Sequence, residues 1–250
     1  RAVSGFEEKD NFLLLATRSG MVKKTALEQY RRRRTKGLIA VKLREGDELV
    51  DAVITQPGDE VVLVTAGGMA IRFNESDARP MGRDTSGVRG IKLGKADYFV
   101  GMVVAEPDAT LLTLCEHGYG KRTPFGVGES CEDEASEDES SSSMRYRTQN
   151  RGGKGIRDIK TTARNGPVVS VVSVRDDDQV LMMSSRGKIQ RVNVREISTI
   201  GRNTQGVRIM RLDEGDTLAA AVPVPPGEQE EPDADPDTDT TPDTTPEESR

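Results

Sequence analysis

The 250-residue sequence has no tryptophan, one histidine and two cysteines, and aromatic residues make up only 4% of it. Each scarcity excludes something. His117, Cys115 and Cys131 are too few ligands for a zinc site, so no metal is expected. Cys131 sits in an acidic run, which argues against a disulfide framework and for a reducing, cytoplasmic compartment. So few aromatics cannot build the stacking platforms that hold single-stranded nucleic acid. No stretch approaches the ~18 apolar residues of a membrane span, and no charged-then-apolar leader follows Arg1. Neither a membrane segment nor a signal peptide is therefore expected. Catalytic signals are also missing. Tyr30, Tyr98, Tyr119 and Tyr146 have no base or metal constellation near them in sequence and read as packing residues. Gly120–Lys121 lacks the Ser or Thr of a phosphate-binding loop, and Cys115 stands where the first glycine of such a loop belongs.

What the chain does have is charge, unevenly placed. Its formal net charge is -6. Residues 228–250 carry ten acidic residues and one Arg, and residues 129–139 carry seven acidic residues and no base. Removing both stretches leaves 35 basic against 25 acidic residues, a net +10 on the remainder. A basic body with acidic appendages suits a polyanionic partner. The stretches 127–144 and 227–250 have almost nothing apolar to bury and are expected to be disordered. The C-terminal one is the body's nearest polyanion and is expected to compete with such a partner.

The body is built on repeats. LLLATRSGMVKK (13–24), VLVTAGGMAIRF (62–73), LLTLCEHGYGKR (111–122) and VLMMSSRGKIQR (180–191) each run apolar, turn at a glycine, then continue as a mixed strand. This is a hairpin pattern, with Gly20, Gly68, Gly118 and Gly187 supplying the positive φ. The glycines are 48, 50 and 69 residues apart, and the long third interval holds the acidic insertion. Each repeat has a second half, beginning at Gly37, Gly87, Gly155 and Gly206. A basic residue stands five positions on in all four (Lys42, Lys92, Lys160, Arg211) and two positions on in three (Arg89, Arg157, Arg208). Offsets of two and five do not share a face of a regular strand, so a bulge is expected to bring them together. A closing apolar strand follows. About four strands per ~48 residues is the spacing of a propeller blade. The chain is read as all-β and propeller-like, with four four-stranded blades at about 5–55, 56–105, 106–174 and 175–224. Helix is expected only as a short turn near Leu27–Tyr30.

Basic residues that recur at fixed repeat positions can track the regular phosphates of a duplex. Lys23, Lys24, Arg72, Lys121, Arg122, Lys188 and Arg191 close the second strands of the hairpins. The cluster Arg31, Arg32, Arg33, Arg34 and Lys36 is the densest. The segment RYRTQNRGGKG (145–155) combines Arg145, Arg147, Gln149, Arg151 and Lys154 with Gly152, Gly153 and Gly155. Its glycines permit close backbone approach, with amides free for phosphate oxygens. An unpatterned charged face of a protein-interaction propeller is the competing reading.

QNRGGKG (149–155) resembles the seven-residue box of the C-terminal domain of DNA gyrase A, whose usual form is Gln, basic, Arg, Gly, Gly, basic, Gly. The strings GYGKRTP (118–124), IRFNESDARPMGRDTSGVRGIKL (71–93) and GRNTQGVRIMRLDEGD (201–216) are similar to that family too. The resemblance covers about residues 3–224. It implies a β-pinwheel whose blades exchange strands and whose outer edge wraps duplex DNA, so that an ATP-hydrolysing type II topoisomerase supercoils it negatively. It implies that Gln149, Arg151, Gly152, Gly153, Lys154 and Gly155 contact DNA. It also implies partnership with gyrase B and the rest of gyrase A in a heterotetramer. ATP and Mg belong to other parts of that complex, and this chain carries no cofactor and no active site. Position 150 is Asn where the family has Arg or Lys, the box lies in the third repeat rather than the first, and the family usually has six blades. The corresponding domain of the related topoisomerase IV is the alternative, and the presence of the box argues against it.

Overall fold

The computed structural model describes residues 10–32, 35, 37–126 and 144–224. Fifteen strands run in chain order: β1 Phe12–Thr17, β2 Met21–Ala26, β3 Leu49–Thr55, β4 Glu60–Thr65, β5 Met69–Asn74, β6 Val88–Arg89, β7 Phe99–Val104, β8 Thr110–Cys115, β9 Tyr119–Pro124, β10 Ile156–Arg157, β11 Val168–Val174, β12 Gln179–Ser184, β13 Ile189–Asn193, β14 Val207–Arg208 and β15 Leu218–Val224. A 3-10 turn, Leu27–Tyr30, stands where the sequence suggests one.

The strands form four antiparallel sheets, ordered β3-β1-β2-β6, β10-β5-β4-β7, β11-β8-β9-β14 and β13-β12-β15. Each hairpin closes at its glycine, with φ of 78°, 78°, 76° and 85° at Gly20, Gly68, Gly118 and Gly187. The outermost strand of a blade comes from the following repeat: β6 completes the first sheet, β10 the second and β14 the third. Blades and sequence repeats therefore do not coincide, and a division at residues 55, 105 and 174 cuts through every joint. The fourth sheet has three strands among the described residues.

Neighbouring inner strands pack in succession, β3 on β7, β7 on β11 and β11 on β15, and no comparable packing returns from β15 to β3 among the described residues. Three apolar cores fill the spaces between blades. Leu14, Leu63 and Phe73 belong to the first, Val62, Leu111 and Tyr146 to the second, and Leu112, Val180 and Met210 to the third. The middle blades bury both faces, so β4 and β8 are continuous apolar runs instead of alternating ones.

One device recurs at each turn. Ten residues after the second glycine of each repeat, a side chain reaches back to the hairpin. The Asp47 carboxylate accepts from Thr17 Oγ1 (2.6 Å) and the Ser19 amide (2.9 Å). Asp97 accepts from Thr65 Oγ1 and the Gly67 amide, both at 2.7 Å. Asp216 accepts from Ser185 Oγ (2.8 Å) and the Arg186 amide (3.1 Å). In the third repeat the pair is Asn165 and Cys115, with Asn165 Nδ2 at 3.7 Å from Sγ. Burial pushes the Cys115 thiol up to about 12, so it packs as a small apolar side chain.

Candidate nucleic-acid interface

The outer strands place one charge pattern on the rim. Arg89, Arg157 and Arg208 end β6, β10 and β14, all exposed. Lys92, Lys160 and Arg211, three residues later, are exposed as well. Between the two offsets, just past the two-residue outer strand, two consecutive residues face one residue of the hairpin, which is the bulge pattern the sequence suggests. At each joint the next two amides turn inward to the carbonyl of a hairpin glycine: Gly90 and Ile91 to Gly20, Asp158 and Ile159 to Gly68, Ile209 and Met210 to Gly118. Register shifts also occur between inner and central strands, as at Ala16/Thr17. The first repeat has Ile39 in place of the arginine, followed by an exposed Lys42. Lys42, Arg89, Lys92, Arg157, Lys160 and Arg211 form no ion pair among the described residues. Arg208 donates to Tyr119 Oη at 2.8 Å and lies over that ring, 5.2 Å from its centroid. Arg164, which no repeat pattern singles out, covers the same ring at 5.1 Å. Hydrogen bonds from Arg164 and Arg208 lower the phenol's pKa. Arg31 and Arg32 are exposed, whereas Arg33, Arg34 and Lys36 lie outside the described residues, as do the insertion 127–143 and the tail from 225.

Residues 145–155 form a strap across the first two blades. Its start is anchored in the core. Tyr146 is fully buried between blades, and its hydroxyl donates to Asp158 Oδ1 at 2.5 Å. The Gln149 amide donates to the Arg72 carbonyl at 2.8 Å. Arg145, Arg147, Gln149 and Arg151 are half-buried, and Lys154 is exposed. Two sequence expectations are corrected here. The Gly152 amide is not free for an anion, since it donates to the Gly90 carbonyl at 2.7 Å. The Arg151 guanidinium is occupied too: Nε donates to the Asp77 carbonyl at 3.1 Å and Nη1 to the Arg89 carbonyl. The strap thereby holds the rim strand β6. Lys154, with no ion pair among the described residues, is its available cation. Gly155 needs both its φ of 74° and its missing side chain, because a Cβ there would sit 2.2 Å from the Ala70 carbonyl oxygen. At Gly153 a Cβ would make only ordinary contacts, 3.5 Å from the Asn150 carbonyl oxygen and 3.6 Å from Ile71 Cδ1, and its carbonyl accepts from the Lys92 amide at 2.8 Å.

The basic residues of the second strands are corrected more sharply. Aligned on their turn glycines, Lys24, Arg72, Arg122 and Arg191 share one position, and the first three are buried. Lys24 pairs with Glu75, Arg72 with Glu60 (2.5 Å) and Arg122 with Asp176. Each also lies in a parallel bridge with the next repeat, at Pro80, Thr148 and Thr199 respectively. Lys121 is completely buried against Asp158 at 2.7 Å. Lys23 donates to the carbonyls of Ala40 and Arg83, both at 2.5 Å. Burial first, and the charge of Arg83 second, lower its amine to about 8. These cations join blades and do not face solvent, because at the hairpin's end the neighbouring repeat covers them. In the fourth hairpin, Lys188 and Arg191 remain exposed.

Residues 11–56, 59–106, 145–175 and 178–225 match the family model described as DNA gyrase C-terminal domain, beta-propeller. The DNA gyrase A protein of Escherichia coli K12 is 43% identical over 216 residues, which cover 86% of this chain and 22% of that protein. Its counterpart from Haloquadratum walsbyi is 40% identical over 86% of this chain and 23% of its own length. The chain thus spans under a quarter of these relatives. Among solved structures, a DNA gyrase A C-terminal domain superposes with a TM-score of 0.72 at 29% identity, over 85% of this chain and 65% of that one. The C-terminal domain of a DNA topoisomerase IV superposes with a TM-score of 0.76 at 23% identity, over 89% and 64%, and shares the fold.

Proposed function

The chain belongs to the DNA gyrase C-terminal β-propeller family, and from that premise we propose that it binds duplex DNA through the phosphate backbone and bends it along the rim of β6, β10 and β14. The observation that carries this reading is the row of rim cations without acidic partners. Arg89 with Lys92, Arg157 with Lys160 and Arg208 with Arg211 recur at matched places on three successive blades. Charges at blade spacing meet phosphates along a bent duplex without reading bases. Lys154, which follows Gly153, adds a further phosphate contact beside the first joint. The role of the strap is then twofold, to fix β6 and to present Lys154 next to it.

In the wider assembly, this rim acts as the wrapping element of a gyrase A that works with gyrase B in a heterotetramer. ATP and Mg act in other parts of that complex, and the wrap biases strand passage toward negative supercoiling in the cytoplasm. The chain contributes no catalytic group of its own. The test is binding to unrelated duplexes of equal and increasing length, coupled to ligation of nicked circles in the presence of the chain. Similar affinities, a length dependence and an altered linking number after ligation are the expected results. Strong preference for one short sequence, or an unchanged linking number at saturation, would overturn the reading.

A further inference from the structure

The three joints between blades share one pairing and differ in what it contains. At each, the residue after the turn glycine stands across the ladder from the rim arginine: Met21 faces Arg89, Met69 faces Arg157 and Tyr119 faces Arg208. Only the third of these pairs brings a hydroxyl to the rim. The Tyr119 ring packs in the second core and the residue is 5% exposed, so the ring is fixed. Its hydroxyl ends between two exposed side chains. Arg208 Nη2 donates to it at 2.8 Å and Arg164 Nε at 3.3 Å.

Arg164 is peculiar to the third repeat. It stands one residue before the side chain that staples the turn, where the other repeats have Gly46, Ala96 and Gly215. Its loop is held in place. The Arg164 amide donates to Thr162 Oγ1 at 3.3 Å, and its carbonyl lies 3.2 Å from His117 Nδ1. The next residue, Asn165, is buried, and its Nδ2 donates to the Lys160 and Gln205 carbonyls, both at 3.1 Å. Two guanidiniums that share one oxygen repel each other. Neither forms an ion pair among the described residues, and the carboxylate of Glu116 lies instead 3.7 Å from His117 Nε2. Arg164 uses only Nε and Arg208 only Nη2 in these bonds. The phenol oxygen accepts from both, and its own proton has no acceptor among the described residues. Three groups thus converge with donors left over and no acceptor between them.

We propose that Arg164, Arg208 and the Tyr119 hydroxyl form a site for one phosphate group, and that a phosphodiester of the bound duplex occupies it. The proposal rests on the reading of the rim as the DNA-binding surface and adds to it a residue outside both the repeat pattern and the basic box. A phosphate presents acceptor oxygens that match the planar fork of a guanidinium and a hydroxyl donor together. Its charge relieves the repulsion between the two arginines. The buried ring under them is a rigid support, with both guanidinium carbons within 5.2 Å of its centroid. The third joint therefore grips the duplex more firmly than the first and second, where the rim arginine faces a methionine.

The phenol reports on the site. Hydrogen bonds from Arg164 and then from Arg208 lower its pKa in the free chain. A phosphate between the two arginines raises it again, because it sets a negative charge beside the forming phenolate. The whole chain labelled with fluorotyrosine gives fluorine resonances for its four tyrosines, and Tyr119→Phe identifies one of them. Fluorine also brings the titration down to pH values at which a duplex stays paired. At matched ionic strength, saturating duplex should move the Tyr119 midpoint upward and leave the other three in place. In Arg164→Ala that midpoint should start higher and move little. The same variant should bind unrelated duplexes about tenfold more weakly, with a logarithmic salt slope smaller by about 0.9. Arg164→Lys keeps the charge and should keep the slope. A Tyr119 midpoint unmoved in the parent–duplex complex would sink the proposal and leave the rim reading standing, as would Arg164→Ala with the parent's slope. A response to inorganic phosphate with none to duplex would assign the site to free phosphate and overturn the duplex as its occupant. A parent that binds no duplex would overturn the reading beneath the proposal, and the proposal with it.

Discussion

The Arg151 guanidinium donates to the main-chain carbonyl of Arg89, so a side chain of the third repeat holds the rim strand of the first blade. Arg151 and Lys154, three residues apart in one basic box, therefore differ in role. Lys154→Ala should weaken duplex binding by about 1 kcal/mol and reduce the logarithmic salt slope by about 0.9, with thermal stability unchanged. Arg151→Ala should cost about 1 kcal/mol of folding stability through the two carbonyls it releases. A gel shift over a salt series and a circular dichroism melt, done on each variant separately, distinguish the roles. Equal effects of the two substitutions on stability would refute the distinction.

The rim prediction is cumulative. Replacing Arg89, Arg157 and Arg208 together by Ala removes one cation per joint and no buried contact except the hydrogen bond of Arg208 to Tyr119. The salt slope should fall by up to about 3, at about 0.9 for each phosphate neutralised. Affinity should drop equally on unrelated sequences. Loss confined to one duplex sequence would mean that these arginines read bases.

The hairpins and the rim charges were legible in the sequence because both depend on local signals. Gly20, Gly68, Gly118 and Gly187 mark turns at near-constant spacing, and Arg89, Arg157 and Arg208 sit at one offset from a glycine. The exchange of outer strands was not legible from spacing, since Val88–Arg89 pairs with Met21–Val22 and not with its own hairpin. The family resemblance alone implied it. The buried cations were misread for a physical reason. A basic residue at a strand end looks the same in sequence whether water or a carboxylate solvates it. The carboxylate partners of Lys24 and Arg122, Glu75 and Asp176, lie 51 and 54 residues away. Only Arg72 has its acid nearby in sequence, at Glu60.

Lys121 and Asp158 should resist separate substitution. Both side chains are completely buried, and the Asp158 carboxylate also accepts from Tyr146 Oη and, at 2.7 Å, from Thr113 Oγ1. Removing one member strands a charge in the second core, which costs about 3–5 kcal/mol. Lys121→Met or Asp158→Leu alone should therefore lower the urea midpoint steeply. The double variant should recover part of the loss, because no unpaired charge remains, although Tyr146 and Thr113 keep unmet hydroxyls. Additive losses in the cycle would show that the pair is not coupled.

Two of the turn staples contribute to the acid sensitivity of the fold. A hydrogen bond from Ser184 is the chief cause that lowers the Asp216 carboxyl to about 2 from an ordinary 3.8, and a bond from Ser185 and the Thr217 and Arg186 amides contribute further. Asp47 is shifted the same way: burial would raise it, but its bonds from Ser19 and Thr17 prevail. Between those two values the unfolded chain binds more protons at position 216 than the folded one does. Stability from Asp216 therefore rises with pH across that interval. It is fully present above the unfolded value and is lost as pH falls through about 2. Asp216→Asn removes the titration while keeping an acceptor oxygen. The variant should melt lower than the parent at pH 7, and the gap should close as both are acidified below the ordinary carboxyl range. Melting temperatures of the two proteins at matched ionic strength, from pH 7 down to the acid limit, give the comparison. A gap that stays constant over that range would mean that the Asp216 charge contributes nothing and that the hydrogen-bond geometry alone staples the turn.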